Sequence, residues 1–246
     1  MNPQRELKMF SKKITPLVFC LSLMAVLAGC EDPSTADKVA DAQLCMDNAT
    51  DATSANACVA KIADITTPEA YTLRCAAGFI GAGLTSPTNL SNALNAIKDN
   101  GSTASMLAYL DFGDTTTAAT VFSNCQASND QGLMLIAAMA KTATAVASYI
   151  PNGSTVDVTA VTNAINTLLT DLSGSGATQA AAQAQVDAIG STIQAVYSVT
   201  CGTSNANTSI CNSINDGAAS VNVDISTATA QDIGNALLEY WKSGQH

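Results

Sequence analysis

Histidine occurs once in the 246 residues, at the last position, His246. A Ser-His-Asp or Cys-His arrangement therefore lacks its base, and a histidine-built zinc site lacks its ligands. Charge is thin as well. Asp, Glu, Lys and Arg make up 12% of the chain, against roughly 25% in typical soluble proteins. Aromatic residues make up 4%, with a single tryptophan, Trp241, so ring platforms for sugars or stacked bases are hard to assemble. No G-x-S-x-G elbow, H-E-x-x-H helix or Asp-x-Asp-x-Asp-Gly calcium loop occurs. Ser173-Gly174-Ser175-Gly176 is rich in glycine, but no Gly-Lys-Ser/Thr follows, so it reads as a flexible connector and not a phosphate loop. Asp111 and Asp114 could be posed as a carboxylate pair for glycoside hydrolysis. The plainer role for both is to cap neighbouring helices and fix a turn. These absences predict a protein without catalysis, metal or cofactor.

What is present starts at the beginning of the chain. Arg5, Lys8, Lys12 and Lys13 precede an apolar run from Ile14 to about Leu27, which leads through Ala28 and Gly29 into Cys30. A basic region, a short apolar region and small residues before a cut site have the layout of a secretory signal. At about 14 residues, with Pro16 inside and no basic cluster after it, the run falls short of the roughly 18 to 20 needed to span a bilayer. Leu27-Ala28-Gly29-Cys30 resembles the lipobox of bacterial lipoproteins, a match confined to residues 9–30. The resemblance implies cleavage after Gly29, a diacylglycerol on the thiol of Cys30 and acylation (palmitate-type) of its new amino terminus. Residues 1–29 are then a cleaved signal peptide, 30–35 a tether, and 36–246 one helical domain.

Without the signal, 217 residues remain, with six basic and nineteen acidic side chains. A net charge near −13 repels nucleic acid and anionic lipid faces, so no nucleic-acid partner is expected. Cys20 leaves with the signal and Cys30 goes to the lipid, which leaves Cys45, Cys58, Cys75, Cys125, Cys201 and Cys211. An even number in an exported chain reads as a disulfide framework with fifteen conceivable pairings. Local pairing selects Cys45 with Cys58 and Cys201 with Cys211, and leaves Cys75 with Cys125. No CxxC spacing supports a metal instead.

The domain reads as all-α: an array of about nine to ten short antiparallel helices, stapled by disulfides, with solenoid-like stacking allowed by helix number. The periodicity predicts helices from Ala36, then over 54–65, 66–83, 86–99, 103–110 and 115–128. Thr66 and Glu69 suggest a capping box, with Pro68 in the first turn. Residues 132–150 are the most apolar stretch after the signal, but Lys141 near the middle makes a core helix the better reading than a membrane span. Further helices are expected over 157–172, 178–199 and 228–242, with 201–211 framing a polar loop. The last helix carries Trp241 towards the body.

The lipobox resemblance, with the signal layout before it, implies a lipid-anchored envelope protein. An outer-membrane site, on the periplasmic face or the cell surface, is expected in preference to the inner membrane. An Asp directly after the lipidated cysteine resembles an inner-membrane retention signal of enteric bacteria, and acidic residues there resemble a surface-export signal in other lineages; here the place is Glu31, which selects neither. One functional reading is an accessory interaction module of an envelope assembly. Its rival is a surface-displayed structural or adhesive lipoprotein. A third is a carrier holding an apolar ligand between helices around 132–150.

Overall fold

The computed structural model describes residues 34–85, 109–151, 157–202 and 208–243. The signal, Cys30, the helix expected over 86–99, residues 103–108 of the helix expected over 103–110, most of the 201–211 loop and His246 lie outside them, and residues 109–110 are not helical. The chain divides into two compact units, Met1–Lys38 and Val39–His246. In the described part of the first, the Ser34 hydroxyl accepts from the Asp37 N–H and donates to its carboxylate, which opens a helix.

Among the described residues there are nine helices and no strand. They are α1 (Thr35–Met46), α2 (Ala52–Ala60), α3 (Pro68–Gly81), α4 (Thr115–Ala127), α5 (Gln131–Ala147), α6 (Val158–Leu172), α7 (Gly176–Cys201), α8 (Thr208–Ser220) and α9 (Ala230–Lys242). Side-chain caps fix most of the starts, each satisfying backbone N–H groups that the helix leaves over. Asp114 accepts from Thr116 and Thr117, Asp130 from Leu133, and Asp157 from Ala160. Asp51 with Ser54 and Thr229 with Asp232 form capping boxes. The cap of α3 corrects the expected one: Thr67, not Thr66, accepts from the Ala70 N–H, because Pro68 at the first helical position places the cap directly before it.

Threonine is a middling helix former, yet many lie in these helices. Thr72, Thr120, Thr144, Thr167, Thr170 and Thr192 each donate their hydroxyl to the carbonyl four residues back. The polar group is thereby satisfied inside its own helix, which lets Thr144 and Thr192 be buried.

The core is made of small aliphatic side chains. Around α1 to α3 lie two small clusters, one on Ala42, Ile62, Ile65 and Ala70, the other on Met46, Ala55, Cys58 and Ala77. A larger one joins Phe79 of α3, Phe112, Val121 and Phe122 of α4, Met134 of α5 and Val196 of α7. Another joins Val146 of α5, Val161, Ile165 and Leu168 of α6, Val186 and Ile189 of α7, and Leu238 of α9, with Trp241 packed partly against it. Helices α5 and α7 contribute to both, so they form the spine of the domain.

A solenoid's repeats touch only their neighbours. Here α7 packs on α5, α6, α8 and α9, so stacking does not describe the second half. Helix α7 also starts at Gly176 and runs to Cys201, further at both ends than the expected 178–199. Its start uses Gly176 at φ +75, a left-handed value that glycine adopts without strain. Helix α8 falls where no helix was expected, and its first residues take over the end of the predicted loop.

Candidate functional site

The residues singled out from sequence separate into three groups. Cys30 lies outside the described residues. The six remaining cysteines come together as three disulfides, Cys45–Cys58, Cys75–Cys125 and Cys201–Cys211, with Cα separations of 5.5, 4.9 and 5.5 Å. The first joins α1 to α2, the second α3 to α4, and the third α7 to α8. Cys75 and Cys125 are fully buried, while Cys45 and Cys201 are half-buried and their partners buried.

Asp111 and Asp114 do not converge on a common point. One Asp111 oxygen accepts from the Gly113 N–H at 2.9 Å, which fixes the turn, and Asp114 caps α4. The neighbouring Thr117 hydroxyl, followed by the backbone N–H groups of Thr117 and Thr116, holds the Asp114 carboxyl below its ordinary value. Asp51 is lowered in the same way by the backbone and hydroxyl of Ser54, and Asp224 by the hydroxyl and backbone of Ser226. These groups stabilise the fold while ionised. Their contribution is present above the ordinary value of 3.8 and is lost as pH falls through the lowered folded value. The melting temperature should therefore drop steeply on acidification below about pH 4. An Asp51→Asn/Asp114→Asn/Asp224→Asn variant, which keeps cap-forming side chains without the titration, should show a shallower drop by circular dichroism. An equally steep curve would assign the acid sensitivity elsewhere.

The partners of two basic residues are not legible in the sequence, because they are distant in the chain. Arg74 of α3 donates to the carbonyls of Ile62, Ala63 at 3.0 Å and Ile65 at 2.7 Å, and its guanidinium lies 5.0 Å from the Tyr71 ring centroid. It closes the carbonyl end of the turn that follows α2, a role suited to the planar fork of arginine. Lys141 stands over the Phe122 ring at 4.7 Å. Burial pushes its pKa down, and among the described residues no carboxylate lies within ion-pair distance of it. The aromatic face takes the place of a carboxylate. The sidedness of α5 also follows from its neighbours: Ala137, Ala138, Ala140 and Ala143 to Val146 are covered by α4, α6 and α7.

A surface groove of about 670 Å³ runs between α9 and the turn after α8, with Asn222, Val223, Asp232, Asn235 and Tyr240 on its walls. Among the described residues no group of three or more His, Cys, Asp or Glu side chains is placed to hold a metal ion, and no helix is long and apolar enough to cross a membrane. No protein-family model matches the chain, and neither a curated protein nor a solved structure does.

Proposed function

We propose that the protein is a lipid-anchored, non-catalytic module of a bacterial cell envelope that acts by contact with an envelope assembly. The observation that carries this reading is Leu27-Ala28-Gly29-Cys30 at the end of an apolar run that is too short to span a bilayer. Three disulfides in a domain of this size suit an oxidising compartment. The electrostatics supply the kind of partner. Lys61 pairs with Asp41 and Lys242 with Glu239, while Arg74 is spent on carbonyls and Lys141 on a ring. With most of the described cations engaged internally, the surface presents carboxylates. Such a surface selects a partner that carries basic side chains over an anionic lipid face or a nucleic acid.

The anchor is tested by expressing the full chain and a Cys30→Ser variant in a bacterial host fed a labelled fatty acid. Wild type should take up label and sediment with membranes, and the variant should do neither. Label in the variant, or none in wild type, would reject the anchor. Protease treatment of intact and permeabilised cells then separates the two envelope roles. Protection until permeabilisation is expected of the accessory module. Digestion on intact cells would favour the surface-displayed, adhesive reading.

A further inference from the structure

We infer that the Cys201–Cys211 bridge is a reducible latch that holds α8 onto the body of the domain. The bond joins the last residue of α7 to the fourth residue of α8. Of the described side chains of α8, Cys211 is the buried one and Ile214 and Ala218 are half-buried. Helix α6, by contrast, buries Val161, Ala164, Ile165 and Leu168. The helix that α8 packs against is α7. Among its described side chains little apolar surface holds α8 beyond Cys211 and the half-buried Ile214 at the edge of the larger core cluster, so the helix depends on its covalent link.

The far end of α8 has the form of a hinge. The Val223 N–H bonds the Ala218 carbonyl, Asn222 takes a left-handed φ of +57, and the chain re-enters the core at Ile225. Ser220 to Val223 also form one wall of the groove whose opposite wall is α9. Of that wall, Ser220 belongs to α8 and leaves with it, while Val221 to Val223 stay with the hinge, so the redox state of one bond alters one edge of the groove.

The two cysteines are unequally exposed. Cys201 is half-buried, whereas Cys211 is 8% exposed. An incoming dithiol, as its thiolate, attacks Cys201 Sγ, forms a mixed disulfide there and expels the Cys211 thiolate, which takes up a proton. The second thiol of the reductant then displaces Cys201 as a thiolate and leaves as a cyclic or protein disulfide; two electrons pass from the dithiol to the bridge. The Cys211 sulphur lies 3.3 Å from the Thr200 carbonyl oxygen. The thiol form therefore finds an acceptor in place before α8 moves.

The other bridges do not share this arrangement. Cys75 and Cys125 are both fully buried. Cys45 is half-buried, but α1 and α2 are also held by Ala42, Met46, Ala55 and Ile62 and by the 2.8 Å pair of Lys61 with Asp41.

The test is hydrogen–deuterium exchange on the oxidised full domain, on the same protein after brief dithiothreitol treatment, and on a Cys201→Ser/Cys211→Ser variant. Loss of the constraint on a loop of sequence separation 10 should speed exchange of the α8 amides roughly 100-fold by the chain-entropy relation, with α5 and α7 unchanged. Alkylation and peptide mapping of the treated protein should mark Cys201 and Cys211 before Cys75 and Cys125. Unchanged protection of α8, protection lost through α7 and α9 together, or earlier marking of Cys75 would each overturn the latch. If the serine pair does not fold, the treated wild type decides by the same readouts.

Discussion

Gly190→Ala should destabilise the protein by about 3 kcal/mol or more, a large effect for one methyl group. Residues 186, 190 and 194 of α7 meet residues 234, 230 and 228 in the α9 region, so the two helices run antiparallel in close contact. A Cβ on Gly190 would fall inside the van der Waals shell of the Ala230 carbonyl and 2.9 Å from Ala230 Cα. One on Gly234 would overlap the Val186 carbonyl oxygen and stand 2.8 Å from Val186 Cγ1. The nearest obstacles are backbone atoms, which have no rotamer to change. The helices must separate, and the packing of Val186 and Leu238 goes with them. The gain in helix propensity from glycine to alanine, about 1 kcal/mol, offsets only part of this. Gly217 of α8 is the control, since a Cβ there meets nothing within 4 Å. Gly217→Ala should be neutral or stabilising by up to about 1 kcal/mol. Chemical denaturation of the two single variants gives the comparison. Equal effects at Gly190 and Gly217 would show that the α7–α9 crossing is not tight.

That crossing marks the limit of what the sequence makes legible. The all-α class, the capped starts at Asp114 and Asp157, and the core place of Met134 to Val146 follow from local signals: caps, apolar spacing and turn residues. The three cysteine pairs follow from short separations and elimination. Nothing local to Gly190 or Gly234 says which helix comes close. The acceptors of Arg74 lie nine to twelve residues away across a turn. Helix α8 was missed because Asn, Ser and Gly dominate Thr208–Ser220 and outweigh Ile210 and Ile214 in any periodicity count. One edge of the groove against α9 depends on that helix and was hidden with it. Local chemistry fixes elements; close approaches between distant elements are decided only when the chain is folded.

Removal of the Cys75–Cys125 bridge should be the most damaging of the three disulfide deletions. Its sequence separation is 50, against 13 for Cys45–Cys58 and 10 for Cys201–Cys211. In the chain-entropy relation, freeing a loop of that size costs about 4 kcal/mol, roughly 1 kcal/mol more than either short loop. Both sulphurs are fully buried beside Phe79, Val121 and Phe122. Alanine at both positions also leaves unfilled volume in the core, which adds to the loss. The bond ties α3 to α4, the contact through which the α1–α3 clusters reach the rest of the core. For a domain whose total stability is of order 5–15 kcal/mol, a loss of this size takes a large share of it. The measurement is urea unfolding of Cys75→Ala/Cys125→Ala beside Cys45→Ala/Cys58→Ala under oxidising conditions. The 75–125 variant should have the lower midpoint and also the larger urea dependence, because its unfolded chain is no longer held in a long loop and exposes more surface. A lower midpoint with unchanged urea dependence would place the effect in the packed native core instead of the unfolded chain. A midpoint no lower than that of the 45–58 variant would mean that α3 and α4 are held by Gly78 and Val121 packing alone, without need of the bond between them.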